Sequence, residues 1–232
     1  MAKQRASQSQ RRQVVEQMRA VQQRREQRNR LLRIVLITLT VAAVIAIGIS
    51  SWLGRSNSDV SIPAHPLTTA AGRTTPPPWP APADAAAAVK AAGLPMLGGE
   101  GAEEHIHAHL DVLVDGQPVS VPALIGIDES AHQISPLHTH DTSGVIHIES
   151  PKKADFSLGQ FLTEWQVSVS QTHLGGLDAN KGNTLTVYVN GKEVSGDPAA
   201  IILHAHDEIA LVYGPSTQRV GVPDSYDFPS GE

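Results

Sequence analysis

A strict two-residue alternation in HIHAHLDVLV, residues 105–114, constrains the fold more than any other feature of this chain. Because successive side chains of a β-strand point to opposite faces of the sheet, the pattern predicts a strand with two unlike faces. The apolar face belongs in the core, and it carries Ile106, Ala108, Leu110, Val112 and Val114. The opposite face carries His105, His107, His109 and Asp111.

Turn and strand signals extend this pattern into a sheet. The first predicted hairpin covers residues 105–127 and turns at Asp115-Gly116, a favoured turn pair. A further strand is predicted over residues 143–150, and a second hairpin turns at Asn190-Gly191. A last strand is predicted over residues 208–214. The chain therefore contains two hairpin regions that are separated along the sequence.

A short amphipathic helix is predicted between the two hairpin regions. Ser157 and Gln160 have the three-residue spacing of a capping box. The apolar stripe that follows consists of Leu158, Phe161, Leu162 and Trp165. The predicted fold class is therefore α+β, a small mixed β-sheet domain with one packed helix in ββαββ order.

The histidines recur at the spacing that a strand-borne metal site needs. Residues i and i+2 of a strand lie on the same face with Cα atoms about 6.5–7 Å apart, so that two imidazoles can converge on one ion. The chain has three such groups of histidines and one histidine–glutamate pair. We predict as metal ligands His105, His107, His109, His138, His140, His147 and Glu149. His204 and His206 fit a polar turn before the last strand equally well.

The available donors restrict the metal. The chain has no cysteine, so thiolate sites are excluded. Imidazole with carboxylate suits Zn(II), Cu(II), Ni(II) or Fe(II), and zinc or copper is the preferred prediction. A cluster of imidazoles that responds to pH is the other functional use of such a pattern.

The first 53 residues predict a membrane anchor. Residues 1–33 carry ten basic and two acidic side chains, and residues 34–53 carry no charge. Twenty residues of helix span about 30 Å, the thickness of the hydrocarbon core of a bilayer. The positive-inside rule then predicts a single-pass protein of the cell membrane whose C-terminal domain is extracytoplasmic. A cleaved signal peptide is the competing interpretation.

Composition predicts the remaining organisation. Residues 54–82 are rich in proline and predict an extracytoplasmic linker. Nucleic-acid binding by the arginines of the tail is not expected, because no aromatic residues are interleaved with them. The predicted organisation is a basic cytoplasmic tail (1–33), a transmembrane helix (34–53), a proline-rich linker (54–82), a short helix and connector (83–102), a histidine-rich α+β domain (103–214) and an irregular C-terminal tail (215–232).

Several motifs occur together in an order that resembles a known family. HIHAHLDVLVDG, VPALIGID, PLHTHDTSGVIHIESP and FSLGQFLTEWQV look like an uncharacterised family of membrane-anchored or exported bacterial proteins. This resemblance implies one domain type over residues 103–214 and implies no reaction. The segment VYVNGKEVSGDPAAIILHAHDEIALVYG is distantly similar to the second half of β-grasp, ubiquitin-like domains.

Three hypotheses about function follow. The leading one is a membrane-tethered extracytoplasmic domain that binds a divalent transition metal through strand histidines. The second is a metal-dependent enzyme at the same cluster, with Glu149 or Asp141 as the general base. The third is a structural or interaction module that contacts a protein partner of the cell envelope.

Overall fold

The computed structural model describes residues 60–229, which form a β-rich fold. Its β-strands and α-helices are, in chain order, α1 (Ala85–Ala91), β1 (Glu104–Val114), β2 (Gln117–Pro118), β3 (Ile127–Asp128), β4 (Gln133–Ile134), β5 (Leu137–His138), β6 (Val145–Ser150), α2 (Leu158–Glu164), β7 (Val169–Ser170), β8 (His173–Leu174), β9 (Leu177–Asp178), β10 (Asn183–Val189), β11 (Lys192–Val194) and β12 (Glu208–Pro215). A 3₁₀ turn covers Pro198–Ala200.

The main sheet is built around β1. Its strand order is β11-β10-β12-β1-β6-β5, and β2 pairs with β1 off this path. β12 runs parallel to β1, with Leu110 opposite Ile209, whereas β6 runs antiparallel to it, with Ala108 opposite Ile146. The strand that carries the histidine alternation therefore lies in the interior of the sheet and has a long partner on each side.

The predicted ββαββ, α+β fold is wrong. The described residues form a mostly β fold, with a curled half-barrel sheet whose main path has six strands, and only two α-helices. The main error concerns the second strand of the first predicted hairpin, because the corresponding strand β2 is only two residues long. Pro118 and Pro122 interrupt this predicted strand, and proline has no N–H to donate to a strand partner. β2 pairs only with Leu113 and Val114 of β1, β6 pairs with residues 104–109, and β12, from the far end of the chain, pairs with the opposite side of β1.

The local turn and helix predictions are confirmed. Asp115 and Gly116 have φ angles of 52° and 75°, and Asn190 and Gly191 have 52° and 72°. Positive φ at both central residues is the requirement of a tight hairpin turn. Ser157 caps α2, and its capping box with Gln160 is formed in both directions.

Helix α2 closes the apolar side of the sheet. Phe161, Leu162 and Trp165 have no exposed surface and join the core that the apolar face of β1 enters. Trp79 packs edge-on against Trp165, with ring centroids 5.7 Å apart, and the Trp165 indole N–H donates to the Trp79 carbonyl. The apolar face predicted for β1 is accordingly the core face, with Leu110 only 1% exposed.

Residues 60–82 pack against the domain, although their composition predicted a spacer. Ala70 forms a bridge with Val169, and the Arg73 guanidinium donates to the carbonyl of Trp165. The predicted tail (1–33) and transmembrane helix (34–53) lie outside the described residues. Within residues 60–229, no helix combines the length and the apolar character that crossing a membrane requires.

Candidate metal centre

The polar faces of β1 and β6 carry the candidate site. The antiparallel register sets His107 directly opposite His147 and His105 directly opposite Glu149. His107, His147 and Glu149 are buried on the side of the sheet away from the apolar core, whereas His105 is exposed. Opposed residues of neighbouring strands have close side chains. Strand pairing thus gathers donors that are about forty residues apart in sequence.

The donor atoms converge on one carboxylate oxygen. Glu149 Oε1 lies 3.2 Å from His147 Nδ1, 3.6 Å from His105 Nε2 and 3.9 Å from His138 Nε2. His107 Nε2 lies 3.0 Å from His147 Nδ1. When metal–ligand bonds are about 2.0–2.1 Å, two ligands of a tetrahedral ion lie about 3.3 Å apart. These separations are of the size expected between ligand atoms of one metal centre.

His138 is held in the state that a metal ligand needs. Its Nδ1–H donates to the Ser135 carbonyl over 3.0 Å, which leaves a lone pair on Nε2. The side chain is fully buried, and Nε2 has no hydrogen-bond partner among the described residues. A histidine ligand characteristically donates its second ring N–H to a carbonyl or carboxylate, which fixes the orientation of the ring.

A second layer of contacts holds the Ser135 segment. The Ser135 hydroxyl donates to Glu164 Oε1 of α2 over 2.6 Å. Burial raises the pKa of Glu164 well above its usual value, against the opposing effect of this hydrogen bond. Burial therefore favours the protonated form of the Glu164 carboxyl, which links the helix to the loop that presents His138.

The six donors fall into two adjoining groups. His138, His140 and His147 form one, and His105, His107 and Glu149 form the other; in each group the ligand atoms all lie within 4.8 Å of one another. His140 and His105 are the exposed members. The buried His/Glu clusters of this protein could hold a metal ion.

The pKa values keep the donors competent at neutral pH. Burial, reinforced by neighbouring histidines, lowers the pKa of His107 to about 4 and that of His138 to about 3. Burial acts to raise the pKa of Glu149, but the hydrogen bond with His147 and the nearby histidines together lower it. At pH 7 the imidazoles of His107 and His138 are therefore neutral and the Glu149 carboxylate is ionised, the states that bind metals.

His109 is not gathered with the other predicted ligands. Its Nδ1 lies 2.7 Å from Glu208 Oε2, and its Nε2 lies 2.8 Å from the Ser143 carbonyl. Burial lowers the pKa of His109, but the hydrogen bond and charge of Glu208 raise it overall. Both ring nitrogens thus face acceptors, although His109, Asp111 and Glu208 form a third group of close donor atoms. The Tyr226 ring stacks on His109 with centroids 3.9 Å apart.

The remaining H-x-H unit belongs to a turn. His204 Nδ1 lies 3.2 Å from Asp207 Oδ2, and Asp207 also accepts from the His204 backbone N–H. His206 has a positive φ of 62° and is exposed, and its backbone N–H donates to the His107 carbonyl. This pair serves the connection to β12 and belongs to none of the three donor groups.

Sequence patterns missed Ser135, Glu164 and Glu208. No periodicity or spacing marks them: Glu164 and Glu208 act through partners 29 and 99 residues away, and Ser135 contacts the nearby His138 through its backbone carbonyl, which no residue-type pattern shows. Glu164 is also outside the apolar stripe of α2. Only Glu208 had an indirect signal in the sequence. It is the first residue of the last predicted strand, where its carboxylate can face a polar side chain of a neighbouring strand.

Comparisons with protein-family models, with curated proteins and with solved structures found no match for this chain. The resemblance to an exported or membrane-anchored bacterial family therefore stays a prediction, as does the distant β-grasp resemblance of the C-terminal half. The predicted cell-membrane location and envelope partner also stay predictions. The histidine face of the sheet is formed by the two adjoining donor groups, His138, His140 and His147 with His105, His107 and Glu149.

Proposed function

We propose that the histidine face of β1 and β6 binds a divalent transition metal, zinc or copper. The observation that carries this proposal is the free Nε2 of His138, buried without a partner beside Glu149. A buried polar atom without a hydrogen bond costs about 1–3 kcal/mol. A bound cation would compensate this cost, because the unpaired Nε2 offers it a lone pair 3.9 Å from the Glu149 carboxylate oxygen.

The surrounding donors support a cation at this position. Around Glu149 Oε1 lie nitrogens of His138 and His147, and His107 Nε2 lies within 3.0 Å of His147 Nδ1. In the metal-free site this pair of nitrogens shares one hydrogen bond. An ion between them would replace that hydrogen bond with metal–ligand bonds.

The donor chemistry narrows the metal. Nitrogen and oxygen ligands without thiolate favour Zn(II) or Cu(II) over Cu(I). The two exposed histidines, His105 and His140, lie at the edge of the buried donors and would provide the route by which an ion enters. Sequestration, sensing and transfer of the ion are all compatible with such an edge. A location outside the cytoplasm, expected from the sequence, is not required for this proposal.

Calorimetry on the full chain tests the proposal. Protein purified without a histidine tag is stripped with chelator, dialysed and titrated with Zn(II) and, separately, with Cu(II) at pH 7.5. Binding should be saturable and should stabilise the fold by about 2.7 kcal/mol when free metal is 100 times the dissociation constant.

Two substitutions make the experiment specific. His138→Gln should weaken binding at least about tenfold, because it removes the preoriented buried ligand. His65→Gln is the matched control, since His65 is exposed and belongs to none of the three donor groups. Absence of binding, or equal affinity in H138Q and wild type, would overturn the proposal.

A further inference from the structure

We infer that the histidine face holds two ions side by side, with the Glu149 carboxylate between them. This inference rests on the proposed function and extends it from one ion to a dinuclear centre. It also names the two ligand sets: His138, His140 and His147 for the first ion, and His105, His107 and Glu149 for the second.

The number of donors exceeds what one ion uses. A zinc ion in a protein takes four ligands in nearly every structural site, and a catalytic zinc takes three from the protein. The face offers five imidazoles and one carboxylate, divided into two groups of three. Each group is sufficient for one ion that keeps a fourth position for solvent. A single tetrahedral ion would leave two donors unused.

Of the four buried side-chain atoms that lack partners among the described residues, two lie on this face, one in each group. His138 Nε2 belongs to the first group, and Glu149 Oε2 belongs to the second. One ion at either position satisfies one of these atoms and leaves the other unpaired. Two ions satisfy both, and this correspondence is independent of the donor count.

The groups are close enough to share a bridging ligand. His107 Nε2 of the second group lies 3.0 Å from His147 Nδ1 of the first, and Glu149 Oε1 lies 3.9 Å from His138 Nε2. The ions of two-metal sites lie about 3.5–4 Å apart. A carboxylate that gives one oxygen to each ion spans this separation, and the two oxygens of Glu149 are available for it.

The charges at the face predict unequal affinities. Glu149 is the only carboxylate within the two groups, and the exposed Asp141 interacts electrostatically with His140 and His147 of the first group. Two divalent ions therefore face at most two negative charges. Their mutual repulsion should make the second ion bind more weakly than the first. Binding should thus occur in two resolved steps.

The third donor group does not supply the second site. His109 donates through Nε2 to the Ser143 carbonyl and is paired with Glu208 through Nδ1. Coordination by this imidazole would require one of these two buried contacts to break. Glu208 Oε1 of this group also lacks a partner among the described residues, but both nitrogens of His109 are engaged, whereas His138 Nε2 and Glu149 Oε2 are without a hydrogen bond.

Stoichiometry with Zn(II) alone separates this inference from the proposed function. Full-length, tag-free protein equilibrated with excess Zn(II) and passed over a desalting column should retain two zinc ions per chain by elemental analysis. X-ray absorption of the loaded sample should show zinc–zinc scattering at about 3.5–4 Å. One retained ion would overturn the dinuclear centre and leave the proposed function intact; no retained ion would overturn both.

Single substitutions at the exposed members assign the ions to their groups. His140→Gln should reduce the retained zinc from two ions to one, and His105→Gln should do the same by removing a ligand of the other ion. Either variant should also lose the zinc–zinc scattering. His65→Gln should retain both ions. Two ions in wild type without zinc–zinc scattering, or two retained in both H140Q and H105Q, would overturn the assignment.

Discussion

Acidification is expected to destabilise the metal-free protein through two buried histidines. Burial lowers the pKa of His107 to about 4 and that of His138 to about 3, from 6.5 in the unfolded chain. Between these values the unfolded chain binds protons that the folded chain rejects. The stabilisation is therefore fully present above pH 6.5 and is lost as the pH falls from 6.5 towards the folded pKa values.

The magnitude follows from the proton balance at pH 5. There an unfolded histidine is almost fully protonated, whereas folded His107 and His138 are almost fully neutral. Linkage converts this difference to about 2 kcal/mol for each side chain, or about 4 kcal/mol for the pair. The result depends little on the folded pKa values, because both lie at least about one unit below pH 5. A loss of this size is a large part of the stability of an ordinary domain, about 5–15 kcal/mol.

Other buried groups act in the opposite direction, so the assay must compare variants. The pKa values of Glu164, Glu208 and His109 are raised, and their contributions to stability grow as the pH falls from 8 to 5. The pKa of Glu149 is lowered from 4.5, so its contribution is lost only below this range. The differences between wild type and variants remove all of these effects to first order.

Urea unfolding with chelator present, at pH 8 and pH 5, measures the prediction. Relative to wild type, His107→Gln and His138→Gln should each gain about 2 kcal/mol in the free energy of unfolding between pH 8 and pH 5, since glutamine cannot be protonated. His65→Gln, at an exposed position, should follow wild type. If both buried variants kept the pH dependence of wild type, the argument that burial excludes protons from these imidazoles would be refuted.

Three further perturbations test the surroundings of the site. In urea unfolding, the free energy of unfolding of Glu164→Gln should increase relative to that of wild type as the pH rises from 5 to 9. The reason is that the raised pKa of Glu164 makes the contribution of this side chain to wild-type stability fall with rising pH. A difference that does not change with pH would contradict this. Tyr226→Ala should lower the free energy of unfolding by about 1 kcal/mol by removing the ring stacked on His109, and an unchanged urea midpoint would argue against that contact in solution. Trp165→Ala should cost about 3–5 kcal/mol, whereas Leu67→Ala at a 45% exposed position should cost less than about 0.5 kcal/mol; equal losses would place Trp165 outside the core.

Local signals predicted the elements that local chemistry determines. The alternation of residues 105–114 predicted both faces of β1, and Asn190-Gly191 predicted a turn that needs positive φ at both residues. The Ser157 capping box predicted the beginning of α2. Each of these features depends on residues within a few positions, so that the sequence alone contains the information.

Pairing over long sequence distances was not predictable in the same way. Nothing in residues 105–114 indicates that β12 lies parallel to β1, or that β2 ends after Pro118. The proline content of residues 60–82 predicted a spacer, but Trp79 and Arg73 attach this segment to the domain. One buried aromatic ring stabilises packing by about 1.5–3 kcal/mol, enough to outweigh a compositional tendency towards extended chain.

The candidate site contains features that the sequence predicts and features that it does not. Strand alternation placed His107 and His147 on polar faces, and the fold sets them opposite each other. That they are buried could not be predicted, because an exposed histidine ladder has the same sequence pattern. The free Nε2 of His138 depends on Ser135 in the preceding connection, and on Glu164 from another element. Sequence patterns thus identify which residues can act as metal donors. The burial and the hydrogen-bond state of those donors depend on the tertiary structure.

Burial links acid sensitivity to metal affinity through the same atoms. An imidazole that rejects a proton at pH 5 keeps its lone pair, and this lone pair is what an ion would bind. A purely structural histidine has a hydrogen-bond partner for each buried nitrogen, as His109 has, whereas His138 leaves Nε2 unpaired at a cost of about 1–3 kcal/mol. Replacing His138 with leucine should therefore stabilise the metal-free protein at pH 5 while it weakens zinc binding. A leucine variant that lost stability at pH 5 and kept its zinc would show that the buried imidazole serves packing alone.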